Sequence, residues 1–125
     1  QILGCLLGVM LANVFFEHDI LELSTKNRDG FHIFLSEIIA TFGLIFIIFA
    51  TQKDGKITIA ASVATYIMAG YWFTSSTSFA NPAVAIARTF TDSFTGINYL
   101  NTPTYILAEF LGALIAVYFI KKLIK

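Results

Sequence analysis

SFANPAVAIARTF, Ser78 to Phe90, lies between two long apolar runs and reads as the start of a short helix. Asn81 is a good helix N-cap, and Pro82 suits the first helical position, where its missing N–H leaves nothing unpaired. About nine helical residues follow before Thr91-Asp92-Ser93, which at roughly 1.5 Å each is half a bilayer core. The expected half-helix covers 81–91. Lipid cannot satisfy the free end of such a segment, so it must be buried in protein or line a watery cavity. That points to a pore or carrier.

Composition agrees. Of 125 residues, 57% are hydrophobic and 13% charged, against about 25% charged in soluble domains. Net charge is zero, and no basic run suggests nucleic acid. Four apolar segments fall at about 1–16, 31–51, 57–73 and 104–121. The second is long enough to span a bilayer and the others come close. The shortness of the first, and a chain beginning with Gln1, suggest truncation.

Lysines give the orientation. Lys53 and Lys56 sit in the tight turn after the second span, and Lys121, Lys122 and Lys125 in the tail. The loop from Glu17 to Asp29 is richer in acids. The positive-inside rule then puts the 52–56 turn and the C-terminus in the cytoplasm, with the acidic loop and the Asn81 loop outside. The expected location is the cell membrane, in a multi-pass protein contacting the lipid bilayer. The single Cys5 excludes an intrachain disulfide. His18 and His32 have no metal-ligand spacing and read as solvated loop residues, so no metal and no cofactor are expected.

Two acids stand inside apolar spans. Glu37 lies seven residues into the second, and Glu109 lies in the fourth. An ionisable group there costs a few kcal/mol and normally faces the bundle interior with a partner. Glu37 could relay protons, bind a cation, or accept hydrogen bonds from irregular backbone. The third reading is preferred, because a broken helix leaves free N–H groups that need acceptors. Glu109 is placed about a turn from the outer end, where snorkelling would suffice. The chain also echoes itself. Gln1 and Glu109 each stand three residues before a glycine (Gly4, Gly112), in spans of opposite direction, a pattern that inverted repeats produce. Gly4, Gly8, Gly43, Gly70, Gly112 and Ala113 would permit close helix contact.

These residues resemble the aquaporin and glycerol-facilitator family, also called major intrinsic proteins. The resemblance rests on Glu37 with Thr41-Phe42-Gly43 in a span, a short turn, another span, Asn81-Pro82-Ala83 opening a half-helix, and a final span with Gly112-Ala113. It implies an all-α membrane protein with an aquaporin-like bundle, holding spans three to six plus one re-entrant half-helix of a six-span inverted-repeat fold. The wording SFANPAVAIARTFTD further resembles a bacterial subgroup associated with arsenite and other small neutral solutes. The resemblance implies a passive channel for small uncharged molecules, with Asn81 at the pore centre and a homotetrameric assembly.

Members typically place Arg directly after Asn-Pro-Ala, where this chain has Val84. The nearest basic residue is Arg88. Seven steps at 100° return Arg88 to within about 20° of Asn81, roughly 10 Å further along the axis. Arg88 then either reaches back to the constriction or pairs with Asp92 one turn on. Matching the family's pattern puts Ser78 on the loop side of the filter, and Ala69, with Gly70 as its neighbour, on the fifth span. Small residues there suggest a wide constriction that passes glycerol-sized or arsenite-like solutes. Tyr71, Trp72 and Phe73 read as an interfacial belt. A strict water channel, and a non-conducting scaffold or half-protein needing a partner, are the alternatives. No Ser/His/Asp set, metal spacing or phosphate loop supports an enzyme. With one half-helix only, the loop Thr74 to Ala80 is expected to leave backbone groups unpaired.

Overall fold

The computed structural model describes residues 1–123, so Lys125 of the basic tail lies outside the described residues. Every regular element among them is helical. In chain order they are α1 (Ile2–Phe15), α2 (Phe31–Ala50), α3 (Lys56–Phe73), α4 (Pro82–Ala87) and α5 (Thr102–Leu123), with a 3₁₀ turn, Arg88–Phe90, continuing α4. Two of these, α2 and α5, are long and apolar enough to cross a membrane by length and composition. The apolar α1 has 14 residues.

The α2–α5 pair forms the spine, and small residues are the reason it closes. Ala40, Ala108 and Ala116 are fully buried. A β-carbon at Gly112 would stand 2.5 Å from the Ile38 carbonyl oxygen and 3.0 Å from Thr41 Cβ, so only glycine lets the backbones approach this closely. Gly4 and Gly8 are different: nothing lies within 4 Å of a β-carbon at either, so these two make no close helix contact. Helix α3 hangs on α2 through the Tyr66 hydroxyl, which donates to the Ala40 carbonyl at 2.9 Å.

Burial is inverted relative to a water-soluble domain. Glu37 (0% exposed), Glu109 and Asn13 (2% each) are among the most buried side chains, while Leu3, Phe15, Ile57 and Trp72 stand outside at 71–87%. Polar groups inside and apolar groups outside is the arrangement that lipid solvent demands. The core beneath α4 is a cluster of Ile33, Phe79, Ala85, Ile97 and Tyr105, with the Phe79 and Tyr105 rings 5.0 Å apart.

The connection from 17 to 30 is ordered as a strap over the far end of α4. Ser24 N–H donates to the Thr89 carbonyl at 2.9 Å, and Asn98 N–H donates to the Lys26 carbonyl at 2.8 Å. Asp92 ties the same strap down. Its Oδ1 accepts from Thr25 N–H at 2.8 Å and from the Thr25 hydroxyl at 3.1 Å. Gly96 must be glycine for this packing, since a β-carbon there would sit 2.1 Å from the Thr91 carbonyl oxygen.

Candidate functional site

The short helix α4 and the loop before it are built by hydrogen bonds at both ends. Asn81 is extended, with φ −160°, and its Oδ1 accepts from Ala83 N–H at 2.9 Å, while Pro82 takes the first helical position. The two amides before the helix go to the buried acids Glu37 and Glu109. Ala80 N–H donates to Glu37 Oε1 in a short bond, and Asn81 N–H donates to Glu109 Oε1 at 3.0 Å. Ser75 N–H finds Ser36 Oγ at 2.9 Å. The loop 74–80 was expected to leave backbone groups unpaired, and Ser36 and Glu37 of α2 supply acceptors to the amides of Ser75, Ser76 and Ala80 instead. Thr77, Ser78 and Ala80 all hold positive φ (64°, 52° and 48°). Such non-glycine residues persist only where their surroundings fix them.

Glu109 corrects its sequence reading. Helix α5 begins at Thr102, so Glu109 is about two turns deep rather than one. It is 2% exposed and therefore does not snorkel. The echo between Gln1 and Glu109 also takes a physical form: both meet Asn81. Asn81 Nδ2 donates to Gln1 Oε1 at 3.4 Å, and its backbone N–H to Glu109.

At the other end, α4 tightens into the 3₁₀ turn at Arg88, so the expected segment 81–91 is six α-helical residues followed by three of 3₁₀. The free carbonyls there have partners. Ile97 N–H donates to Arg88 at 3.1 Å and Ser24 N–H to Thr89, while Asn13 Nδ2 donates to the Phe90 carbonyl at 3.0 Å. Asn13, a polar residue inside α1, was missed by sequence reading, although an amide in an apolar helix was the signal available.

Helix α1 runs beside α4 in the same direction, with Gln1 near Asn81 and Asn13 near Phe90. Three hollows border these two helices and the seam between them, and two of them meet. The first, about 520 Å³, opens at Gln1, Asn81 and Pro82. The second, about 190 Å³, lies between Cys5, Gly8 and Val9 on one side and Val84, Ala87 and Arg88 on the other. The third, about 390 Å³, has Asn13, His18, Tyr71, Arg88, Phe94 and Thr95 on its walls. Arg88 and Ala12 line both of the last two and stand at their junction.

Arg88 therefore points along the seam. Its Nη1 donates to Thr95 Oγ1 in a short bond, and its guanidinium lies 5.9 Å from the Phe79 ring centre. The Asp92 pairing does not form, because Asp92 is taken by the strap. Ala69 is displaced from its expected place. It lines a groove with Ile47, Thr51 and Tyr66 between α2 and α3. Tyr71, two residues and about 200° further round the helix, is the α3 side chain that joins Arg88. This also takes Tyr71 out of the expected aromatic belt, while Trp72 (82%) and Phe73 (58%) remain exposed. Gly70 and Ser78 are both buried and touch: a β-carbon at Gly70 would meet Ser78 Oγ at 2.7 Å. His18 is not simply solvated either, since its Nδ1 lies 2.9 Å from Glu22 Oε2. No cluster of three metal-ligating side chains occurs among the described residues.

The strap carries a pH dependence of known sign. The Thr25 backbone N–H, more than any other contact, holds the Asp92 carboxyl below the usual range. A depressed carboxyl stabilises above its unfolded pKa and loses that effect as pH falls through the folded value. The tether should thus be intact at neutral pH and weaken only below about pH 4. Protection of the Thr25 amide, corrected for intrinsic exchange, is expected to be equal at pH 6 and 7 and to fall at pH 3. Unchanged protection at pH 3 would contradict it.

The chain is 45% identical over 116 residues to the aquaglyceroporin AqpS of Rhizobium meliloti (strain 1021), a match covering 93% of this chain and 50% of that protein. The chain thus spans about half the length of the curated relative it matches. No family model matches the chain, and no solved structure matches it.

Proposed function

Because the chain belongs to the aquaporin and glycerol-facilitator family, we propose that it builds one side of a passive channel for small uncharged solutes, with the α1–α4 seam as its wall. The carrying observation is the pair of hollows between α1 and α4 that meet at Ala12 and Arg88, one of them lined by Val84, with a separate hollow opening at Asn81. In this reading α4 is a re-entrant half-helix, and the six-span arrangement is completed by spans and an Asn-Pro-Ala-like cap not present in these residues. Homotetrameric assembly and a cytoplasmic 52–56 turn belong to the same proposal.

The chemistry of the seam supports neutral solutes. The Asn81 side-chain oxygen is committed to its own helix cap, so its amide presents only N–H donors to a passing hydroxyl. Its bond to Gln1, at 3.4 Å, is long and exchangeable. Val84, Ala87, Val9 and Gly8 give an apolar wall for a carbon skeleton. Arg88 supplies donors and a positive charge at the outer end, which opposes cations. An apolar wall facing a few donors suits glycerol and arsenite-like neutral hydroxy compounds as well as water.

The discriminating experiment is stopped-flow light scattering on vesicles holding the protein expressed from its whole reading frame. Wild type should pass both water and glycerol faster than empty vesicles. Val84→Arg should lower glycerol flux at least about tenfold, a barrier rise of about 1.4 kcal/mol, and spare most water flux. Wild-type glycerol flux equal to that of empty vesicles, with water flux fast, would favour a strict water channel. Neither flux rising would leave the scaffold reading.

A further inference from the structure

We infer that Arg28, in the strap between α1 and α2, is a positioning residue that fixes the width of the outer mouth by tying the Asn81 loop to the Phe94 segment. Its fork spans two pieces of chain. Nη1 donates to Thr77 Oγ1 at 3.0 Å and lies 3.5 Å from the Ser76 carbonyl, while Nη2 donates to the Phe94 carbonyl at 2.7 Å. Its guanidinium also lies 5.9 Å from the Phe94 ring centre. The arginine itself is anchored, since its backbone N–H donates to Asn101 Oδ1 at 3.0 Å. Among the described residues no hydrogen bond joins 74–80 to 93–97 directly, so Arg28 is the polar link between them.

Each end of the fork acts on something that matters to the mouth. Thr77 opens the strained run of positive φ that leads into Asn81, and a strained loop keeps its shape only while it is held. Phe94 sets its ring 6.3 Å from that of Tyr71, and the next residue, Thr95, receives the Arg88 guanidinium. Tyr71, Phe94, Thr95 and Arg88 all line the outer hollow of about 390 Å³. Moving Phe94 therefore moves two walls at once. What Arg28 contributes is a planar set of diverging donors, which an ammonium cannot reproduce. The consequence for solute choice rests on the channel reading above, whereas the tie itself does not.

The test uses the protein expressed from its whole reading frame, with Arg28→Ala and Arg28→Lys beside wild type. Amide exchange is read segment by segment, and water, glycerol and sorbitol fluxes are read in vesicles. Both variants should raise exchange at 76–78 and 94–96 at least about tenfold, leaving the α2 and α5 amides as they were. Both should raise the sorbitol-to-glycerol flux ratio by about threefold or more. Exchange unchanged in the two segments, or raised equally through α2 and α5, would overturn the assignment. So would a lysine variant indistinguishable from wild type, which would mean that charge rather than the fork is used. A changed exchange pattern with an unchanged flux ratio would overturn the control of width. Wild-type flux no faster than empty vesicles would remove the channel reading, and the exchange arm would still decide whether Arg28 makes the tie.

Discussion

Glu37→Ala is expected to destabilise the protein by about 2–4 kcal/mol and to remove solute flux, while Glu37→Gln keeps most of both. Glu37 is fully buried, and its Oε1 accepts the Ala80 N–H. Alanine leaves that amide without a partner and opens a void beside it. The loss also frees Ala80, whose φ of 48° needs external support. Glutamine retains a carbonyl oxygen at the same reach, so the amide stays paired. The pair of substitutions separates two roles. An acceptor for backbone survives the change to glutamine, whereas a proton relay would be abolished by it. Glu109 accepts the very next amide, Asn81 N–H, so Glu37→Ala and Glu109→Ala should be non-additive when combined. Thermal unfolding in detergent and vesicle flux read the two consequences separately.

The second large effect is at Asn81. Asn81→Asp should lower glycerol and water flux at least about tenfold while costing little stability, because aspartate caps a helix about as well as asparagine. The carboxylate still accepts the Ala83 N–H that Asn81 Oδ1 accepts at 2.9 Å. What disappears is the Nδ2 donor, and what arrives is a negative charge a short distance from Glu109. A solute hydroxyl would then meet an acceptor where the seam had offered a donor. Asn81→Leu is the companion change, expected to lose the cap as well at about 1 kcal/mol. If Asn81→Asp unfolded the protein instead, the new charge beside Glu109 would outweigh the retained cap.

Much of the fold was legible because the local chemistry is strong. Asn-Pro before an alanine-rich run dictates a helix start wherever it lies, and α4 begins at Pro82. Small residues at 108, 112 and 116 mark the face of α5 that meets α2. A buried acid next to a broken helix finds the broken helix's amides, as Glu37 does. The misassigned α3 position has a clear cause. A helix whose exterior meets lipid carries apolar side chains all round, so its inward face is not written in a polar–apolar alternation. Matching the family's pattern chose Ala69, and the structure brings Tyr71 to Arg88 instead. Arg28 was illegible for another reason. Its side-chain partners are 48 to 66 residues away in the chain, and no short-range spacing encodes such contacts. Glu109 was misplaced by depth alone, since α5 begins at Thr102.

Glycerol entry into vesicles decides whether the path beside Asn81, Val84 and Arg88 conducts neutral solutes. The rate is measured over a range of temperatures for wild type, Asn81→Asp and empty vesicles. Wild-type entry is expected well above the lipid background with a shallow temperature dependence, and a return toward that background in Asn81→Asp. Wild-type entry that matches empty vesicles in rate and temperature dependence, with folded protein in the bilayer, would contradict it.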